Sequence, residues 1–178
     1  MKQLELESYD GGRIDVIPVR LVSTEKFYSR VQCCRAEEHP GWFPLGLEEY
    51  AFLSLLIFFM DKYLERSILN EYRYDEADDT FDYYSHNLYR YVDVLKMLDE
   101  IEHTAYDILH SRQTDIVTNV IQHFNPRIFD EFACKVDRQH IFSEHRQEIA
   151  DYYFRFCSAI NAIMNEAPEF ELLDFWGP

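Results

Sequence analysis

The sequence predicts a mainly α-helical fold, a helical bundle with a short N-terminal β-hairpin. Only 5 Gly and 6 Pro interrupt the 178 residues, which favours long elements over many turns. Apolar residues recur at three- and four-residue steps through much of the chain, as in amphipathic helices. Hydrophobic residues make up 47% of the sequence, so a chain of this length can bury a core without disulfides.

The length fits a single domain over residues 1–178. Within it we expect a β-hairpin in residues 1–22, a helical core in 47–164 and a tail in 165–178. The hairpin is predicted because apolar and polar residues alternate with a period of two on both sides of the turn residues Asp10-Gly11-Gly12.

Several segments carry helical patterns. Leu47–Arg66 is apolar nearly all round, which predicts a central helix surrounded by other helices. Phe81–Ile108 is expected to form a long amphipathic helix, followed by helices in Asp115–Phe124 and, more briefly, Arg127–Val136. A final helix is expected from Ser143 to Met164. The predicted apolar face of the long helix comprises Phe81, Tyr84, Leu88, Tyr91, Leu95, Leu98, Ala105 and Ile108.

The charge of the chain is strongly negative and unevenly distributed. The sequence has 17 basic and 33 acidic side chains, a net charge of −16. Residues 71–110 hold 3 basic and 11 acidic side chains, a net −8, which is half of the total. Such a field repels nucleic acids and anionic membranes and attracts basic proteins. We therefore expect a basic protein partner, with no direct nucleic-acid contact and no membrane contact.

The cysteine pattern and the apolar runs favour a cytoplasmic protein. Four cysteines occur without a C-x-x-C pair, which is typical of a reducing compartment and gives no zinc or thioredoxin-like motif. The first residues lack the apolar stretch of a signal peptide. The longest apolar run, Tyr50–Met60, has eleven residues and is too short to span a bilayer.

No motif in the chain predicts an enzyme, a cofactor or a metal site. The sequence contains no nucleophile elbow, no P-loop and no dinucleotide-binding glycine motif. Glu100-x-x-His103 has the spacing of half a di-iron carboxylate site, but its nearest counterpart is Asp137-x-x-His140, which has the wrong acid. Glu100 and His103 also fall on the polar stripe of the long helix. We therefore expect both to lie on a solvated face.

Arg138 and His145 provide an alternative reading of the function. Their spacing fits the loose R-x4-6-H pattern of HEPN-type ribonucleases, which are small helical proteins. The resemblance implies that this Arg and His act on an RNA phosphodiester. The chain is poor in the basic groups that an RNA-cleaving surface needs, and the pair also fits an exposed position near a helix start.

Acidic and tyrosine side chains are interspersed along the chain from residue 71 onward. Tyrosine buries a large, rigid surface at low entropy cost, and carboxylates steer and pair with Arg and Lys of a partner. This combination predicts a partner-binding surface. The alternative is that the tyrosines fill the core while the acids cap a helix and solvate a loop. The candidate partner-binding residues are Glu71, Tyr72, Tyr74, Asp75, Glu76, Asp78, Asp79, Asp82 and Tyr83.

A small, acidic, aromatic-rich helical chain without an active-site motif resembles the immunity proteins of bacterial contact-dependent growth inhibition systems. The resemblance is one of overall character across the whole chain and rests on no shared motif. It implies a cytoplasmic inhibitor that binds a cognate basic toxin domain, often a nuclease, and neutralises it. An acidic secretion chaperone or adaptor fits the same composition. The pattern leaves open whether Trp42 and Trp176 are binding anchors or core residues.

Overall fold

A computed structural model describes residues 15–21, 31–33, 49–65, 80–82, 86–129 and 137–176. Within these ranges the chain forms five α-helices, one 3₁₀ turn and one antiparallel sheet of four strands. The helices are α1 (Glu49–Tyr63), α2 (Tyr91–Leu109), α3 (Asp115–His123), α4 (Arg138–Glu144) and α5 (Arg146–Glu166), and the 3₁₀ turn spans Pro126–Ile128. The strands are β1 (Asp15–Leu21), β2 (Val31–Cys33), β3 (His86–Arg90) and β4 (Leu172–Trp176). The prediction of a mainly helical chain is confirmed.

The sheet differs from the predicted N-terminal hairpin, because it joins strands from the beginning, middle and end of the chain. Its strand order is β2-β1-β4-β3, and every pairing is antiparallel. Asp15 pairs with Trp176, while His86 pairs with the same residue from the other side. The first half of the expected hairpin, residues 1–14, lies outside the described residues. Pro18 precedes the pairing with β2, which begins at Val19, so that ladder does not need the missing amide of Pro18.

The predicted tail contains a central strand of the sheet. Leu172, Leu173 and Phe175 of β4 are all buried, so successive residues with opposite orientations both face the interior. A strand buried on both faces carries no alternation of apolar and polar residues, which is why the period-two test missed it. The expectation of a tail in 165–178 was therefore wrong for Leu172–Trp176.

The predicted helix over Phe81–Ile108 is correct only from Tyr91 onward. Its described first part contains β3, and α2 begins directly after this strand at Tyr91. The spacing of Leu88 and Tyr91 fits a helix, but β3 pairs along its whole length with β4. Non-local pairing therefore overrides the local pattern.

The helices pack around one apolar core that the sheet covers at one end. Helix α2 packs mainly on α5, and α1 packs on α3 and α2. Two buried tyrosine hydroxyls connect these layers to α1: Tyr153 of α5 donates to the Leu55 carbonyl at 2.6 Å, and Tyr89 of β3 donates to the Met60 carbonyl at 3.2 Å. The predicted inward residues of the last helix, namely Ile149, Tyr153, Phe156, Ile160 and Ile163, are all buried.

The predicted boundaries of the later helices need two corrections. Ser143 does not cap the final helix, because it lies inside α4, where its hydroxyl donates to the Gln139 carbonyl at 2.8 Å. The short helix expected over Arg127–Val136 is replaced at its beginning by the 3₁₀ turn, whose Pro126 has no amide hydrogen to donate. Residues 130–136 lie outside the described part of the chain.

Candidate functional site

The structure describes one of the nine predicted partner-binding residues. Asp82 is exposed, as a partner-binding residue must be. For the others the surface stays a prediction, since their placement falls outside the described ranges. These residues are Glu71, Tyr72, Tyr74, Asp75, Glu76, Asp78, Asp79 and Tyr83.

We call residues 71–82 the acidic segment. Hydrogen bonds hold its described end, residues 80–82, to the rest of the fold. The Asp82 amide donates to Oδ1 of Asn87 at 2.8 Å, and the Asp82 carbonyl accepts from Nδ2 of the same residue at 2.7 Å. The Phe81 amide donates to the Asp61 carboxylate of α1 at 2.6 Å, and the Phe81 ring is buried. Asp82 is therefore presented on a backbone that α1 and β3 both fix.

The outer face of α2 carries a continuous exposed stripe. Its members recur at steps of three and four residues, so they share one side of the helix. The side chains of Val92, Leu95 and Tyr106 are 55%, 54% and 54% exposed. In the described residues these are the only large hydrophobic side chains with such exposure. We call the α2 stripe the set Val92, Leu95, Asp99, His103 and Tyr106, all of which are exposed.

The surroundings of the α2 stripe are acidic. Five carboxylates and one lysine lie on α2, a net −4. Asp99 remains 74% exposed beside His103, whose pKa is raised by a hydrogen bond to the Asp99 carbonyl and by the negative charge of the Asp99 carboxylate. Lys96 is paired with Asp93 at 2.7 Å, so the one basic side chain of the helix is partly neutralised. The five carboxylates are Asp93, Asp99, Glu100, Glu102 and Asp107.

Sequence reasoning placed Leu98, Ala105 and Ile108 correctly on the buried face of α2, but it missed the α2 stripe because of Leu95. Leu95 was predicted on the buried face, yet it points to solvent. The residues that pack inward include Val94, Met97, Ile101 and Ile108, which follow an equally regular helical spacing. Apolar side chains occur on both sides of α2, so the periodicity does not indicate which side faces the core. Packing against α5 decides that choice.

The stripe also has an aromatic extension on α5. The ring of Tyr106 meets the ring of Phe154 edge to face, with centroids 5.1 Å apart. Phe154 is half-buried. Beside this neighbour, the Tyr106 side chain remains 54% exposed. Such a ring offers a rigid apolar surface with a polar tip, the side-chain type that most often dominates binding energy at protein interfaces.

Glu100 and His103 lie in different environments. Glu100 is hydrogen-bonded to α1, whereas His103 is exposed. The Glu100 carboxylate accepts from Lys62 Nζ at 2.5 Å and from the Tyr63 hydroxyl at 3.0 Å. This bond to Glu100 raises the pKa of Lys62, while burial raises the pKa of Tyr63. Within the described ranges no group of three His, Cys, Asp or Glu side chains is placed to hold a metal ion. Glu100 thus connects α2 to α1.

Arg138 and His145 stand at opposite ends of α4. Arg138 is the first residue of this helix, and its guanidinium donates to the Gln122 carbonyl of α3. His145 follows the last residue, and its ring stacks on that of Phe129 with centroids 4.0 Å apart. The Nδ1 atom of His145 also lies 3.6 Å from the Glu148 carboxylate. Both side chains are therefore engaged in contacts that join neighbouring elements.

A hydrogen bond between His86 and the buried Asp174, which sequence reasoning missed, supports the sheet near Asp82. The Nδ1 atom of His86 lies 2.5 Å from the Asp174 carboxylate, whose other oxygen accepts the Asn87 amide at 3.1 Å. Asp174 is 2% exposed, and burial raises its pKa against the opposing effect of the His86 hydrogen bond. No local pattern reveals the pair, because its members are 88 residues apart in the sequence.

The chain matches no known protein family, no curated protein and no solved structure. None of the helices in the described ranges combines the length and the apolar character that crossing a bilayer requires.

Proposed function

We propose that this protein is a cytoplasmic inhibitor of the immunity type, which binds a basic toxin domain, such as a nuclease, and neutralises it. The partner contacts the α2 stripe together with the acidic segment 71–82. One observation carries the proposal: every large hydrophobic side chain that is mostly exposed in the described residues lies on one helix, inside the most acidic part of the chain.

Charge and apolar surface have separate roles in this proposal. The net −8 of residues 71–110 attracts a basic domain to the protein and accelerates association. Val92, Leu95 and Tyr106 then lose their exposed surface against the partner, which slows dissociation. The stripe from Val92 to Tyr106 extends about 21 Å along α2, a length suited to a partner groove or helix.

The apolar contribution is tested by truncating the stripe. The chain is mixed with the toxin domain encoded in the adjacent reading frame, and affinity is measured by calorimetry. Tyr106→Ala and Leu95→Ala should each weaken binding about tenfold, a loss of about 1.4 kcal/mol. Gln122→Ala, at an exposed position of α3, is the control and should leave affinity unchanged. Full affinity in both stripe variants would remove α2 from the interface.

The electrostatic contribution is tested by neutralising the acidic segment. Replacing Asp75, Glu76, Asp78 and Asp79 by Asn or Gln should slow association and flatten its dependence on salt. A matched variant neutralises the same number of exposed carboxylates elsewhere, at Glu144, Asp151, Glu166 and Glu169. The matched variant should associate faster than the first. Equal rates would mean that net charge alone governs the encounter and that segment 71–82 has no special place in it.

A further inference from the structure

A small pocket with an apolar floor and a polar rim lies where four helices converge. Its volume is about 50 Å³, and the elements around it are the end of α2, the start of α3, one side of α4 and the start of α5. The buried side chains of Ile108, Val117 and Phe142 form its floor. Its polar rim consists of Ser111, Arg112, Gln113, Gln139, Ser143 and Arg146.

The charge of this pocket is opposite to that of the whole molecule. Two arginines line it, and none of the described residues around it is a carboxylate. Arg112 lies in the connection between α2 and α3, and Arg146 is the first residue of α5. The carboxylate of Asp107, which is not among the lining residues, lies 3.2 Å from Nη1 of Arg112. A chain with net charge −16 thus keeps a local concentration of cationic and amide donors here.

The backbone of Ser111 is strained where it forms the rim. Ser111 has φ 54°, the left-handed region that glycine normally occupies after a helix. This conformation closes the end of α2, because the Ser111 amide donates to the Ile108 carbonyl at 3.0 Å and the Arg112 amide donates to the Asp107 carbonyl at 2.8 Å. Glycine would satisfy the same hydrogen bonds without the steric cost of a Cβ atom.

The side chain of Ser111 makes a hydrogen bond that glycine cannot make. Its hydroxyl oxygen accepts from Nη1 of Arg146 at 3.3 Å. This contact holds the guanidinium of Arg146 on the same rim as Arg112. Strain retained at a position that orients a cationic group is typical of a binding site, since a residue selected for stability alone would relieve it.

We propose that this pocket binds a phosphate group, either as the free ion or as a phosphomonoester on a larger molecule. Arg112 and Arg146 pair with its oxygens, because the planar guanidinium matches phosphate geometry. Gln113 and Gln139 supply further amide donors. The volume admits a group of this size and leaves the remainder of an ester outside. The inference is independent of the inhibitor proposal, since it uses neither the α2 stripe nor segment 71–82.

Binding is tested by titrating the whole protein with inorganic phosphate while amide chemical shifts are followed by NMR, with sodium chloride at matched ionic strength as the reference. Saturable shifts confined to residues 111–113, 139–143 and 146 are expected. Shifts that rise without saturation, or that chloride reproduces, would overturn the proposal. Phenyl phosphate distinguishes the sources: tighter binding than inorganic phosphate indicates an ester whose remainder contacts the surface outside the opening, and equal binding indicates the free ion.

Arginine variants inside and outside the pocket distinguish a specific phosphate site from a general attraction of anions to positive charge. Arg112→Gln and Arg146→Gln should each weaken phosphate binding about tenfold, as expected when a charge-assisted bond is lost. Arg127→Gln removes the same charge at an exposed position outside the pocket and should bind as the parent does. An equal loss in Arg127→Gln would overturn the site.

Ser111→Gly separates the binding role from stability. Glycine removes the strain and the contact to Arg146 together. Its melting temperature should rise by roughly 2–4 °C, while its phosphate affinity falls. A variant that becomes more stable and binds phosphate unchanged would refute the positioning role of Ser111.

Discussion

Replacing Asn87 by alanine should destabilise the protein more than its small size suggests. The Asn87 side chain is 0% exposed and makes three hydrogen bonds. Two of them join the backbone of Asp82, and the third runs from Nδ2 to the Phe175 carbonyl at 3.0 Å. One buried amide thus connects β3, β4 and the described end of the acidic segment.

The expected loss follows from these three bonds. A hydrogen bond in a folded protein contributes about 1 kcal/mol net, so the full set contributes about 3 kcal/mol. Water can replace part of this contribution at Asp82, which is exposed. The bond between Nδ2 of Asn87 and the Phe175 carbonyl is buried, so water cannot replace it. The free energy of unfolding should therefore fall by about 2–3 kcal/mol, a large part of the 5–15 kcal/mol typical of a domain.

Urea denaturation followed by far-UV circular dichroism measures this loss. Asn119→Ala is the matched control, because the Asn119 side chain makes a single bond to the Asp115 carbonyl at 2.9 Å on the outside of α3. The control should change stability by less than about 0.5 kcal/mol. A loss below about 1 kcal/mol in Asn87→Ala, or one equal to that of the control, would refute the reasoning.

Three further predictions concern buried polar groups. Burial raises the pKa of Asp174, so the folded state holds the carboxyl proton more tightly than the unfolded state does. This tighter proton binding stabilises the protein at low pH. The stabilisation is lost as the pH rises above about 3.9, the ordinary pKa of an Asp, and through the raised pKa of the folded state. The stability of the parent relative to Asp174→Asn should therefore decline over that range, and a difference independent of pH would contradict it. Tyr153→Phe removes the 2.6 Å bond to the Leu55 carbonyl and should lower the free energy of unfolding by about 1 kcal/mol in urea titrations, whereas an unchanged value would mean that this bond contributes nothing. Burial raises the pKa of Cys157 to about 12, so peptide mapping by mass spectrometry should find Cys157 alkylated by iodoacetamide at pH 8 only after unfolding; labelling of the native protein would show that the thiol is accessible.

The sequence by itself predicted the helices whose apolar residues have one clear period. Helices α1 and α3 lie within the ranges expected for them, α5 extends two residues beyond the expected end at Met164, and the predicted inward face of α5 is buried. These elements are local, since backbone bonds and side-chain neighbours are three or four residues apart. The negative charge and its concentration in residues 71–110 are likewise properties of the sequence alone. Their consequence for partner binding stays a prediction at every candidate residue, and for Asp82 the structure adds that the residue is exposed.

Tertiary structure decided the sheet, the rotation of α2 and both candidate binding surfaces. Strand β4 finds its partners at residues 15–19 and 86–90, and no local pattern specifies a register across such distances in sequence. Helix α2 has apolar residues on two faces, and only contact with α5 determines that Val92, Leu95 and Tyr106 remain outside. The pocket between Arg112 and Arg146 likewise exists only after four helices meet. Periodicity determines whether a segment is a helix, whereas the exposed face of that helix depends on what packs against the other side.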